Sequence, residues 1–507
     1  MQLNQNTAGS PGSAGRGPYE RLVLRGVTVI DGTGAPAYGP ADVVLEGGRI
    51  SAIVSAGRNT DMTQAGQRVA ADTETWDLSG HYVLPGLVDA HAHIAAAEQG
   101  PNTDYSYRLW LGHGITTVRE PGCLGNGTAF TVREARRAEA DDITAPRIVP
   151  YAAFGAGRGE PFRSARDAEQ WVSEQAELGA AGIKFFGAPP EIFRAALAEA
   201  RRLGLGSACH HAPSDVARVN ALTTARWGLG SVEHGYGVPE AMFTDRRVQH
   251  FPADYNYNNE HDRFAQLGHL WREAAEPGSR AWNDTLDELV ALGTTLDPTF
   301  VVYSAARDAA RARGREYHRD YSAPQAWRFF QPNPVNHGSF LYDWGTEEEA
   351  AWKENYRLWM IFVRDFHLRG GRLTTGSDAG FIYNLYGFGL VEEMELLREA
   401  GLQPLEIVRC ATFNGAQLLG LEETGTLEPG KVADLLVIEE NPLANLKVLY
   451  GHGHLRTGVD GSLSRVGGVR HTIKGGIVFD ARQLRADVRD LVAADRERLG
   501  VPAPFTP

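Results

Sequence analysis

Between residues 84 and 378, short apolar runs rich in Val, Ile and Thr alternate repeatedly with stretches of helical periodicity. That alternation constrains the fold more than any other feature of the chain. Strands buried on both faces read as continuous apolar runs, and each needs a covering crossover helix to reach a parallel neighbour. Candidate strands fall at residues 84–93, 115–119, 147–152, 182–186, 205–211, 231–234, 294–300 and 373–378, with helical patterns at 164–178, 191–203 and 214–227 among the connections. Eight such units in about 300 residues fit an α/β fold of the (β/α)8 TIM barrel type.

The flanks have a different texture. Residues 21–76 carry short β-branched runs broken by turns such as Asp31-Gly32-Thr33-Gly34, and similar runs return at 433–438 and 469–478. Two separated β-rich ends most simply fold together. The expected division is a disordered tail over 1–20, a composite β-sandwich domain from 21–80 and 424–480, and a barrel over 81–423. The barrel carries an aromatic-rich insertion at about 245–345, and 481–507 form a C-terminal helix and tail.

In a barrel of this kind, chemistry collects at the C-terminal ends of the strands. There the first candidate strand has His91 and His93, the fourth Lys184, the fifth His210 and His211, the sixth His234 and the eighth Asp378. Side chains alternate faces along a strand, so His91 and His93 can reach one metal ion, whereas only one of His210 and His211 can enter the barrel. Bland readings stand beside these: Lys184 as a packed lysine stem, His211 as packing, and His113 as a partner for helix-end carbonyls. Gly451-His452-Gly453-His454 repeats the opening spacing outside the barrel strands and reads as a decoy.

Composition removes other classes. A formal net charge of −13 over 507 residues argues against a nucleic-acid surface. Three scattered cysteines imply no disulfide framework, and no apolar run reads as a signal peptide or membrane span, so a cytoplasmic protein is expected.

The passages Leu84-Pro85-Gly86-Leu87-Val88-Asp89-Ala90-His91-Ala92-His93, Gly114-Ile115-Thr116-Thr117-Val118-Arg119, Val232-Glu233-His234-Gly235 and Gly376-Ser377-Asp378-Ala379-Gly380 resemble the metal-dependent amidohydrolase superfamily. So do Ala411-Thr412-Phe413-Asn414-Gly415-Ala416 and the later Gly425-Thr426-Leu427-Glu428-Pro429-Gly430-Lys431. The nearest branch is the imidazolonepropionase and Xaa-Pro dipeptidase-like group, over roughly residues 20–480 apart from the insertion. The resemblance implies two divalent ions, one held by His91, His93 and Asp378, the other by His210 and His234. It also implies that Lys184, carboxylated by carbon dioxide, bridges them. Imidazole and carboxylate donors suit zinc, and would accept iron, manganese or cobalt.

Such a centre implies hydrolysis of a carbon–nitrogen bond, amide or peptide-like, by metal-activated hydroxide, with Asp378 as the catalytic proton carrier. The same site could serve a cyclic amide, lactone or phosphoester, since fold does not choose among them. A non-catalytic barrel that binds a ligand is the alternative from another class. The expected partner is a small-molecule substrate, with neither nucleic acid nor membrane, and a homo-oligomer is compatible with the helical faces. Tyr236, Tyr303 and His211 are the candidate substrate contacts, under an insertion dense in aromatic residues.

Overall fold

The computed structural model describes residues 3–55, 73–334 and 339–504; the stretch 56–72 of the expected composite domain lies outside the described residues. Eight parallel strands form the central sheet, each hydrogen-bonded to its neighbours in chain order. They are β1 Leu87–Asp89, β2 Ile115–Gly122, β3 Arg147–Ala153, β4 Gly182–Phe185, β5 Gly206–Cys209, β6 Ser231–Glu233, β7 Thr295–Asp297 and β8 Arg372–Leu373. Beyond the last strand the sheet closes on the first, where Ala90 N donates to Thr375 O at 2.8 Å and Ser377 N to Asp89 Oδ1 at 2.8 Å. Every residue of β2 is buried, as a strand covered on both faces requires.

Local chemistry sets where elements begin and stop. Helix Ala165–Leu178 starts on Ser164, whose side chain accepts from Asp167 N, and ends at Gly179 in the left-handed region at φ 109. The helix expected over 214–227 is confined to Ala221–Arg226. Asn220 is extended and its side chain accepts from Thr223 N at 3.0 Å, so the helix starts there instead of upstream. Glycines at the start of β4 and β5 make room for Tyr151 of β3. A Cβ on Gly182 would lie 2.5 Å from the Tyr151 ring, and one on Gly206 would overlap its hydroxyl.

The two β-rich ends meet in one mixed eight-stranded sheet. Strand Arg21–Val29 is its branch point: residues 21–25 pair in parallel with Thr73–Asp77, Thr28 and Val29 with Tyr82 and Val83, and the other edge with Tyr38–Glu46. Leu435–Ile438 joins the C-terminal strands to Tyr82–Pro85, which leads directly into β1. Leu22, Leu24, Val43, Leu45, Leu435 and Val437 share a core separate from that of the barrel.

The described part of the expected N-terminal tail is packed. Asn6 is buried, its side-chain nitrogen donating to Ala95 O, Ala96 O and Gly100 O at 3.0, 3.1 and 3.1 Å. Gly9 N reaches Glu134 Oε2 and Ala14 N reaches Thr144 Oγ1, both at 2.8 Å. A polar segment with few apolar side chains reads as disorder, but here backbone and amide groups find fixed partners on the barrel. The C-terminal helix Ala481–Leu499 buries Leu484, Val488 and Val492. Among the described residues no helix is long and apolar enough to cross a membrane.

Candidate metal centre

β1 ends at Asp89, so His91 and His93 lie just beyond it, buried at 2 % and 4 % exposure. Two carboxylates hold them from behind. Glu233 Oε2, at the end of β6, is 2.5 Å from His91 Nδ1, and Glu120 Oε1, on β2, is 2.7 Å from His93 Nδ1. With Nδ1 engaged, each ring presents Nε2 to the barrel mouth. Asp378 Oδ1 faces both, 3.2 Å from His93 Nε2 and 3.7 Å from His91 Nε2, while Oδ2 is 4.0 Å from His234 Nε2. Among the described residues, ligand atoms of His91, His93 and Asp378 all lie within 4.8 Å of one another.

The remaining candidates close the ring. The His210 ring centroid is 4.8 Å from that of His234, which is 4.8 Å from that of His91. His234 Nδ1 meets Thr299 Oγ1, which leaves its Nε2 facing Asp378. Lys184 is 1 % exposed and its Nζ has no hydrogen-bond partner. His234, Thr299 and Asp378 adopt φ of 64, 47 and 50, a region that costs a non-glycine residue about 1–3 kcal/mol. Three strained residues following three successive strands mark this mouth as built for something other than stability.

Electrostatics separates the groups. Burial would raise the Asp378 carboxyl, but His91, the His93 hydrogen bond and Lys184 outweigh it and hold it at about 2. Burial alone would lower His93, yet Glu120 and Asp378 bring it up to about 9. His91 and His234 go the other way, driven well below the usual range by burial and by neighbouring positive groups. Burial also lowers Lys184. Donors poised between protonation and ligation, with an orphaned buried amine among them, fit a cation-binding centre.

Beneath the ring sits a polar layer that the strand-end reading passes over. Arg119 Nη2 donates to both Glu233 oxygens at 2.9 and 2.8 Å, and its Nη1 donates to Ser231 Oγ at 2.8 Å. Asp297 accepts from Thr374 Oγ1 at 2.8 Å, and burial beside Glu233 raises its carboxyl. His91, Glu233 and Asp297 also bring ligand atoms within 4.8 Å, but Glu233 is already shared by Arg119 and His91. Glu120 directly follows the noted Arg119 and Glu233 directly precedes His234; a charged residue inside a buried strand was the available signal.

His93, Lys184, His210 and Asp378 line a cavity of about 590 Å³. Tyr303 lines it too, its ring 5.9 Å from that of His234. Tyr236 lies behind His210, 5.0 Å between ring centroids. His211 turns toward helix Ala221–Arg226, its Nε2 2.9 Å from Thr224 Oγ1, as alternation from His210 requires. His113 Nδ1 meets Leu109 O at 2.7 Å. His452 and His454 line a separate cavity of about 490 Å³, where ionised groups pair with one another, as in Arg307–Glu399.

Residues 359–476 match the amidohydrolase family. An adenine deaminase of Methanoculleus marisnigri is 39% identical over 92 residues, 17% of this chain and 17% of that protein. Adenine deaminase 3 of Rhizobium meliloti is 27% identical over 455 residues, covering 87% of this chain and 58% of that one. Across the first three curated relatives, the matched segments span 17 to 30% of their length. Among solved structures, bottromycin amidohydrolase superposes with TM-score 0.63 at 18% identity, covering 97% of this chain and 94% of that one. A Xaa-Pro dipeptidase with bound methionine gives 0.59 at 17% identity, over 91% of this chain and 100% of that one. The eight-stranded barrel with its appended mixed sheet is thus the fold of these amidohydrolase and dipeptidase structures, and residues 359–476 are similar in sequence to the amidohydrolase family.

Proposed function

We propose that the chain is a binuclear metal-dependent hydrolase that cleaves a carbon–nitrogen bond of the amide or peptide type. The convergence of His91, His93, Lys184, His210, His234 and Asp378 on one cavity mouth carries this reading. Two divalent ions, zinc by the character of the donors, would supply a water of lowered pKa and polarise the scissile carbonyl. His91, His93 and Asp378 would hold one ion, His210 and His234 the other. Lys184, by adding the lone pair of its deprotonated amine to carbon dioxide and losing a proton, would become a carbamate and so a carboxylate-type donor to the ions. Asp378 accepts the proton of the attacking water at a carboxylate oxygen and delivers it to the leaving nitrogen. Glu120 and Glu233 keep the imidazoles in one tautomer throughout.

Metal analysis of protein prepared with zinc and bicarbonate tests the centre: about two equivalents are expected, and fewer than about one favours a ligand-binding barrel without catalysis. Asp378→Asn should abolish turnover of a responsive amide; unchanged turnover removes it from proton transfer. A panel of N-acyl amino acids, dipeptides, lactones and phosphotriesters separates amide hydrolysis from the other reactions open to this site. Three buried, unpaired thiols support a reducing compartment such as the cytoplasm.

A further inference from the structure

The turn after β7 carries a buried hydroxyl that the proposed chemistry leaves without a role. The candidate strand over 294–300 stops at Asp297, and two residues later Thr299 takes φ 47 and ψ 41. A β-branched residue is a genuine outlier in that left-handed region, where its side chain crowds its own backbone. Thr299 is fully buried, and such strain persists where the surrounding structure holds the residue as placed. Its neighbour across the barrel mouth is His234, whose backbone N donates to Asp297 O at 3.0 Å and whose Nδ1 meets Thr299 Oγ1.

The direction of that hydrogen bond follows from a second one. Thr299 Oγ1 lies 2.7 Å from Pro298 O, and a carbonyl can only accept. The single hydroxyl proton therefore goes to Pro298 O; turning it to His234 would leave two oxygens 2.7 Å apart with no proton between them. Oγ1 then accepts from His234, so Nδ1 carries the ring proton and Nε2, 4.0 Å from Asp378 Oδ2, keeps its lone pair. His91 and His93 lean on the carboxylates of Glu233 and Glu120, whereas His234 leans on a neutral hydroxyl. A carboxylate behind an imidazole raises its strength as a ligand, and a hydroxyl does so less. We propose that Thr299 is the positioning residue of the second metal site: it presents His234 Nε2 to an ion and, being uncharged, leaves that ion the more easily released of the two. This rests on the binuclear reading above and says how its two ions differ.

Titration of the metal-free full chain with cobalt(II) in bicarbonate tests this without turnover, with the visible d–d bands and competition by a chromophoric chelator reading each equivalent separately. Wild type should take up about two equivalents, the second at least about tenfold more weakly than the first. Thr299→Val keeps the shape and removes the acceptor, so it should weaken the second equivalent by a further factor of about ten to a hundred and leave the first unchanged. Thr299→Ser returns the oxygen and should recover most of that loss. An undiminished second equivalent in Thr299→Val overturns the proposal, as do two equivalents of equal affinity in wild type. Equal weakening of both equivalents, or Thr299→Ser no better than Thr299→Val, also overturns it, because Thr299 is then structural. Should Thr299→Val not fold, Thr299→Ala with a second equivalent held as in wild type decides against it. Uptake of a single equivalent or less by wild type refutes the binuclear reading and the proposal together, whereas the expected pattern without hydrolysis of any amide in the panel refutes the hydrolase reading alone.

Discussion

Two carboxylates decide which nitrogen of each leading histidine faces the cavity. Glu120 does so for His93 and Glu233 for His91. Glu120→Gln should weaken metal binding by about tenfold to a hundredfold, measured by competition with a chromophoric chelator; undiminished affinity would show that the tautomer is fixed otherwise. Glu233→Gln should also lower the melting temperature further than Glu120→Gln does, since Arg119 then loses its charged partner inside the barrel. Glu240 offers a pH-dependent test away from the ligands. It accepts from Gly237 N at 2.8 Å, and burial pushes its carboxyl up to about 7. The folded state thus binds this proton more tightly than the unfolded chain, so its stabilising contribution is complete below the unfolded pKa of about 4.3. It is lost as pH rises to about 7. Glu240→Gln keeps an acceptor without the charge, so urea titrations should show the variant gaining on wild type by up to about 3 kcal/mol between pH 4 and 8. A constant difference across that range would refute the assignment.

At the scale of elements, β3, β4 and β5 are fitted around one ring. Gly206→Ala would drive a methyl group into the Tyr151 hydroxyl, an overpacking that should destabilise the barrel by about 1–3 kcal/mol. Tyr151→Phe removes the obstructing oxygen, so the double variant should be more stable than the sum of the single effects predicts; simple additivity in denaturant melts would show that the ring moves aside. The sequence makes these strands legible because a strand buried on both faces must be apolar along its length. For the same reason it hides the layer under the metals. Arg119, Glu120, Glu233 and Asp297 interrupt runs that otherwise read as core, and only tertiary structure shows that they answer one another. Alternation does separate His210 from His211, because it is a property of the backbone alone. It does not reveal Thr299, whose approach to His234 depends on how the chain turns after β7.

For the whole molecule, the centre ties distant parts of the chain together, from His91 near the start of the barrel to Asp378 after its last strand. Ligation there should stabilise the entire barrel: about 2.7 kcal/mol is expected with free metal at a hundredfold its dissociation constant. Chelation should lower the melting temperature and zinc with bicarbonate should restore it, followed by scanning calorimetry; an insensitive transition would argue against a metal held at strand ends. The N-terminal segment shows where composition misleads, since its polar residues have fixed partners instead of water. Asn4 N donates to Glu98 Oε2 at 3.0 Å, and Leu3 and Asn4 line the same cavity as the metal candidates. Purification handles are commonly fused at that end. Because Leu3 and Asn4 belong to the cavity wall, preparations tagged at that end should differ in KM from preparations tagged after the C-terminal helix.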